Sequence, residues 1–192
     1  MALRDQYKGD PLISMHFAPH APYAVSDATL ARVRRLADEL DLPVALHLHE
    51  TAWEIEQSEL KFGMRPLARL AALGLASPQL VAVHMTQVVA ADLDTLAESG
   101  AAVVHCPESN LKLGAGACPV PGLLGRGIRV AIGTDGAASN NDLDMLGEAR
   151  TAGLVASGVT GAPGSLIAAD LLRMATLEGA RVLGLGEVTG SL

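Results

Sequence analysis

Clustered positive charge is missing from this 192-residue chain. Fourteen Lys and Arg stand against 21 Asp and Glu, for a formal charge of −7. The densest basic cluster, Arg32–Arg35, reads as the solvated face of a helix. Binding to nucleic acid needs grouped cations to neutralise phosphate, so a nucleic-acid partner is excluded. Aromatic residues make up only 3%, which leaves Leu, Val and Ala to do the packing. Cys106 and Cys118 are the only cysteines. They form neither a disulfide framework nor a CxxC pair, and they fit a reducing cytoplasm. No apolar run approaches the ~20 residues of a membrane span. The opening MALRDQYKGD lacks the apolar core of a secretion signal. The reading is therefore a cytoplasmic protein with no membrane partner. Neither GxGxxG nor GxxxxGK[ST] occurs, which disfavours an open-sheet nucleotide binder. Gly114-Ala115-Gly116 lacks the third glycine and the helix context.

What the chain does have is apolar content: 49% hydrophobic residues and a mean hydropathy of +0.31. That suits one domain with a buried core. Five short apolar runs read as strands: Leu12–Phe17, Val44–Leu48, Leu80–His84, Ala101–His105 and Ile128–Ile132. Between them the apolar spacing predicts helices. One runs from an N-cap at Ser26 to about Leu40, and one from a Thr51 cap through Trp53–Phe62. Others cover Arg65–Leu75, Asp92–Ser99 and Pro121–Gly127. Pro107–Gly116 reads as a polar loop. Two long helices, about Leu143–Ser157 and Ser165–Leu183, close the chain. Strands that lack strict alternation and are separated by helices predict a parallel sheet covered by helices. An eight-stranded α/β barrel needs ~250 residues, so five strand–helix units match part of one, or a complete open sheet.

The polar residues gather where these strands end. VALHLHET places His47, His49 and Glu50 at the mouth of one strand. His47 and His49 are i and i+2, on one side of an extended chain, and can be read as a metal pair or as two hydrogen-bonded histidines. Glu50 is a proton shuttle beside an activated water, or an N-terminal helix charge beside Thr51. His84 follows LVAV; alone it reads as a core histidine. Asp135, in Gly-Thr-Asp-Gly after a strand, is a ligand or a turn former. His20 sits on the proline-stiffened loop APHAPY and suits a substrate contact. His105 reads as a strand terminus first and His16 as a structural residue inside a strand. The order is more telling than any member: polar chemistry at five consecutive strand ends.

APHAPY, LHLHET, VHMTQ, HCPESNLKLGAG and IGTDGAASNNDLDM together resemble the amidohydrolase superfamily. The resemblance is to its branch of 5′-methylthioadenosine/S-adenosylhomocysteine deaminases, related to the triazine hydrolases, and covers Leu12 to Leu192. It implies a metal-dependent (β/α)8 TIM barrel that is incomplete, with about strands 4 to 8 present. The first three strands with their HxH ligand pair, and the flanking β-sandwich, would be absent. It implies one divalent metal, zinc first and Fe2+ or Mn2+ as alternatives. His47 and Asp135 match metal ligands. Glu50 matches the acid that handles a substrate ring nitrogen, and His84 the histidine that orients the attacking water. His20 matches a substrate contact. Asn110 and Ser139 fall in matching loops with no role carried over, and His49 falls at a variable position.

The activity so implied is hydrolytic deamination of an adenosine-like nucleoside, 5′-methylthioadenosine or S-adenosylhomocysteine, to the inosine analogue and ammonia. The alternatives are a triazine chlorohydrolase, a guanine deaminase, or a truncated non-catalytic chain. Part of a barrel leaves strand edges unpaired, so association with another chain, such as a homo-oligomer, is expected.

Overall fold

The apolar runs do become strands, but four of them rather than five. The computed structural model describes residues 2–191. Strands β1 (Val44–Leu48), β2 (Leu80–His84), β3 (Ala102–His105) and β4 (Val130–Ile132) form one sheet in that order, every pair parallel. Helices α1 (Ala2–Gln6) and α2 (Asp27–Leu40) precede β1. The crossovers hold α3 (Ala52–Phe62), α4 (Pro66–Ala72), α5 (Ala90–Ser99), α6 (Pro107–Lys112) and α7 (Val120–Leu124). Then α8 (Met145–Thr160), α9 (Ala168–Ala175) and α10 (Leu177–Val182) follow β4. This is part of a parallel α/β barrel. Among the described residues no helix is long and apolar enough to cross a membrane.

The register separates two faces. Leu46, Ala82, Val103 and Val130 are in line across the sheet, and each is at most 3% exposed. They face the helices, against Leu30 and Ala37 of α2, Leu67 and Leu70 of α4, and Leu96 of α5. Burying each such leucine is worth roughly 1.5–3 kcal/mol, which fixes the strand register. On the other face, His47, Val83 and Val104 line up and are only half-buried. That open face and its C-terminal rim hold the polar residues His47, His84 and Asp135.

The caps are where the spacing puts them. Ser26 Oγ accepts from Thr29 N at 3.3 Å, and Thr51 Oγ1 from Glu54 N at 3.2 Å. Three expectations need correction. Leu12–Phe17 is not a strand. Only Phe17 bridges to Val44, accepting from Ala45 N and donating to Pro43 O, each at 2.9 Å. Leu12 is 92% exposed and Ile13 39%, so the start of the run packs on nothing, and Phe17 at its end packs against the core. Pro19 removes a donor just beyond it. Residues 107–112 form α6 rather than loop, with Pro107 at its first position, where a missing N–H costs nothing. The closing helix splits into α9 and α10 at Thr176, which leaves helical geometry (φ −125°, ψ −87°) as its hydroxyl donates to Leu172 O at 2.7 Å.

Candidate active site

Among the described residues seven non-glycines have positive φ, and five of them stand at the C-terminal rim: His20, His49, His84, Met85 and Asp135. Strain of this kind persists only where surrounding structure over-determines it. Here it decides which way each polar side chain points.

His47 keeps the strand alternation and faces the open side. The carbonyl of His20 accepts twice from it, from the backbone N at 2.8 Å and from Nδ1 at 3.0 Å. A carbonyl can only accept, so His47 carries its proton on Nδ1 and presents a bare Nε2. This is the usual support for a metal-binding imidazole. His20 itself packs edge-on against His47, ring centroids 5.0 Å apart.

His84 is fully buried and in register with Leu48, which faces the helices. Its φ of +80° turns it away from that fate. Its ring stacks on His47 with centroids 5.4 Å apart, and its Nδ1 meets Asn110 Oδ1 at 2.8 Å. Its Nε2 is buried with no partner among the described residues. Glu50 Oε1 lies 3.9 Å from that atom.

Asp135 follows β4 at φ +62°. Its Oδ2 accepts from Ser109 Oγ at 2.6 Å and Ser139 Oγ at 2.7 Å, and its Oδ1 from Gly136 N at 2.7 Å. Partial burial pushes the carboxyl up, but these three donors outweigh it and hold the pKa below the usual range.

His47, His84 and Asp135 thus offer donor atoms all within 4.8 Å of one another. Two imidazoles and a carboxylate are donor types that suit zinc. An orphaned, buried His84 Nε2 fits the same occupant. The structure brings together all five sequence-predicted site residues: His20, His47, Glu50, His84 and Asp135.

His49 is not among them, which corrects the HxH reading. At φ +52° it leaves the strand, so the i, i+2 rule no longer applies. It is fully buried on the other side; its Nε2 accepts from Leu67 N at 3.0 Å and its Nδ1 lies 3.5 Å from Asp92. Burial pushes its pKa down to about 4. His105 ends β3, buried, with its pKa held down to about 4 by burial and then by nearby His84. His16 precedes the Phe17 bridge and lies in no strand, contrary to expectation.

Sequence reasoning missed Ser109 altogether and gave Asn110 and Ser139 no role. Proline at the first position of α6 was the available signal. The adjacent pair Ser109-Asn110 serves two site residues from one helical turn.

Behind the site, Glu54 is 1% exposed and accepts from Glu50 N at 2.8 Å through Oε2, while Oε1 has no partner among the described residues. Burial raises its pKa from 4.5 to about 7. Between those values the folded state holds a proton that the unfolded chain has released, so its contribution makes stability fall as pH rises. Glu54→Gln keeps the acceptor for Glu50 N and removes the charge. It should match wild type near pH 4 and exceed it above about pH 8 by up to about 3 kcal/mol, at 1.36 kcal/mol per pH unit. Urea unfolding at the two pH values checks this.

Compared with known proteins, the chain matches the Amidohydrolase family over residues 3–192. It belongs to the amidohydrolase family. This amidohydrolase chain is 52% identical, over all its 192 residues, to 5-methylthioadenosine/S-adenosylhomocysteine deaminase of Teredinibacter turnerae. A crystal structure of an adenosine deaminase from Xanthomonas campestris with bound zinc superposes on 99% of the chain with a TM-score of 0.97 and 57% identity. A variant of atrazine chlorohydrolase from Arthrobacter aurescens, complexed with zinc and atraton, superposes on all of it with a TM-score of 0.93 and 28% identity. In each case the chain spans 43% of the other protein's length.

Proposed function

We propose that this amidohydrolase chain supplies later strands of a metal-dependent barrel that deaminates 5′-methylthioadenosine or S-adenosylhomocysteine. The strands before these and the flanking β-sandwich lie outside it. The supporting observation is the convergence of His47, His84 and Asp135 at one strand-end rim. A relative of that name at 52% identity supports the substrate class over a triazine, whose hydrolase is 28% identical.

His47 and Asp135 would hold a divalent metal, zinc by the chemistry of the donors, and His84 at the same rim would orient the attacking water. When bound, the metal supplies the Lewis acidity that lowers the pKa of a coordinated water to about 7. Asp135, kept ionised by Ser109, Ser139 and Gly136, is the proton acceptor. Glu50, beside His84, carries a proton to the ring nitrogen of the amidine being opened to attack. His20 contacts the substrate from its loop. The product is the inosine analogue with release of ammonia. The two buried free cysteines suit a cytoplasmic setting.

The test is a hybrid in which this chain replaces the matching residues of the T. turnerae relative. We expect about one zinc per hybrid, and ammonia release from 5′-methylthioadenosine with the ultraviolet change from adenine to hypoxanthine. A folded, zinc-loaded hybrid that releases only chloride from a chlorotriazine, or ammonia only from guanine, would reject the substrate assignment.

A further inference from the structure

We infer that Asn110 sets the proton inventory of His84: it holds the imidazole as the Nδ1–H tautomer, so that Nε2 enters the site as a lone pair, an acceptor and not a donor. The role of that lone pair in catalysis rests on the function proposed above; the tautomer does not.

The argument starts from what each atom can do. Asn110 Oδ1 stands 2.8 Å from His84 Nδ1, and an amide oxygen only accepts. Nδ1 therefore carries the hydrogen. Neutral imidazole has one N–H, so Nε2 is bare. Nε2, the other ring nitrogen, is buried without a partner among the described residues and lies 3.9 Å from Glu50 Oε1, in a residue that shares a 4.8 Å donor cluster with His47 and Asp135. Both residues are buried, Asn110 at 1% exposure and His84 at 0%, so water does not compete for the bond. The support is rigid. Asn110 sits on α6, where its backbone N donates to Cys106 O at 3.0 Å and its carbonyl accepts from Ala115 N at 2.8 Å. Glu108 N, at the start of the same helix, donates to the buried Glu148 Oε2 at 3.1 Å. The neighbouring Ser109 binds Asp135.

The arrangement repeats that of His47, whose Nδ1 is claimed by the His20 carbonyl. Two unrelated acceptors, a backbone carbonyl from the loop before β1 and a side-chain amide from the helix after β3, thus impose one tautomer on both stacked imidazoles. A turned-over amide would do the reverse. It would place Asn110 Nδ2 on a bare Nδ1 and send an Nε2–H toward Glu50. Asn110 is a positioning residue: it acts on the reaction only through His84.

The test uses the metal-free 192-residue chain labelled with 15N-histidine, at about pH 8, above the ordinary histidine pKa of about 6.5. Long-range proton–nitrogen correlation spectra report which ring nitrogen is protonated, with His84→Gln assigning the resonances. We expect a protonated Nδ1 and a bare Nε2 at His84. Asn110→Asp, whose carboxylate also accepts, should preserve that pattern. Asn110→Ala, which cannot accept, should shift His84 toward the Nε2–H form. His47 should stay Nδ1-protonated in every variant, which separates loss of one hydrogen bond from loss of fold. An Nε2–H at His84 in the wild type, or no change in Asn110→Ala with His47 intact, would overturn the assignment. The readout needs neither metal nor substrate, so a hybrid that fails to deaminate leaves this result standing or falling by itself.

Discussion

In the hybrid enzyme, Asp135→Asn is expected to lower ammonia release at least about 1,000-fold and to cost most of the bound zinc, with the fold unchanged. The fold is spared because Asp135 sits at φ +62°. Asparagine is among the few residues that accept left-handed backbone with little penalty, whereas alanine would be strained there. The local hydrogen bonds also mostly survive. An asparagine Oδ1 placed where Oδ2 now lies still accepts from Ser109 and Ser139; its amide then faces Gly136 N, a donor, and that bond is lost. What disappears is the negative charge. Without it the proposed metal loses its anionic donor and the reaction the proton acceptor assigned above, and acid–base groups contribute 10²–10⁴ in rate. Removing one supporting hydroxyl instead, as Ser109→Ala or Ser139→Ala, keeps the charge and loses a bond of about 1.5–3 kcal/mol to it. Those variants should lose roughly 10- to 100-fold. Elemental analysis, ammonia assays and thermal melts on the series separate the two effects. An Asp135→Asn variant with full activity would remove Asp135 from the chemistry.

Much of this site is legible in the residues. Four apolar runs become the four strands because each is short, apolar and buried on the helix-facing side. Ser26 and Thr51 cap the helices their side chains suggest. The polar residues at the strand ends do meet. What the residues do not reveal is direction. Strict alternation sends His84 with Leu48 into the helical layer and keeps His49 beside His47. Both expectations fail because single residues with positive φ re-aim the chain at the rim, and no side-chain pattern encodes that at a histidine. Short elements are opaque for a different reason. The six residues of α6 are too few for periodicity to show, so Ser109 and Asn110 read as loop polarity when they are the supports of Asp135 and His84. Leu12–Phe17 has strand composition, but its first residues have no surface to bury, and composition alone does not distinguish the cases.

The second large effect is expected outside the cluster of polar residues at the rim, at Arg69. Its side chain is 4% exposed and the guanidinium has three partners: Asp27 Oδ1, met by Nε at 2.7 Å and by Nη2 at 2.5 Å, Pro22 O at 2.7 Å and Val25 O at 3.0 Å. It also lies over the Phe62 ring, 3.8 Å from the centroid. One side chain on α4 therefore ties down residues 22–27, the segment that follows His20. Arg69→Ala leaves a buried carbonyl at Pro22 and a half-buried one at Val25 without donors. At about 1–3 kcal/mol for each unmet buried group, plus the lost packing on Phe62, the cost is about 3–5 kcal/mol. Asp27 adds little, because it is half-exposed and water can take over its charge. Arg69→Met keeps the packing and loses only the hydrogen bonds, so it should fall between alanine and wild type. Arg69→Lys should recover part of the loss, since an ammonium reaches these acceptors one at a time and cannot fork between them. The damage should reach the site as well. The His20 carbonyl orients His47 by accepting from both its backbone N and its Nδ1. Loosening the segment behind it frees that carbonyl, and lost support of this kind typically weakens metal binding 10- to 100-fold. Urea unfolding and zinc titration of the three variants should therefore move together. A variant that loses stability but binds zinc as wild type does would show that His20 is held in place by β1 alone.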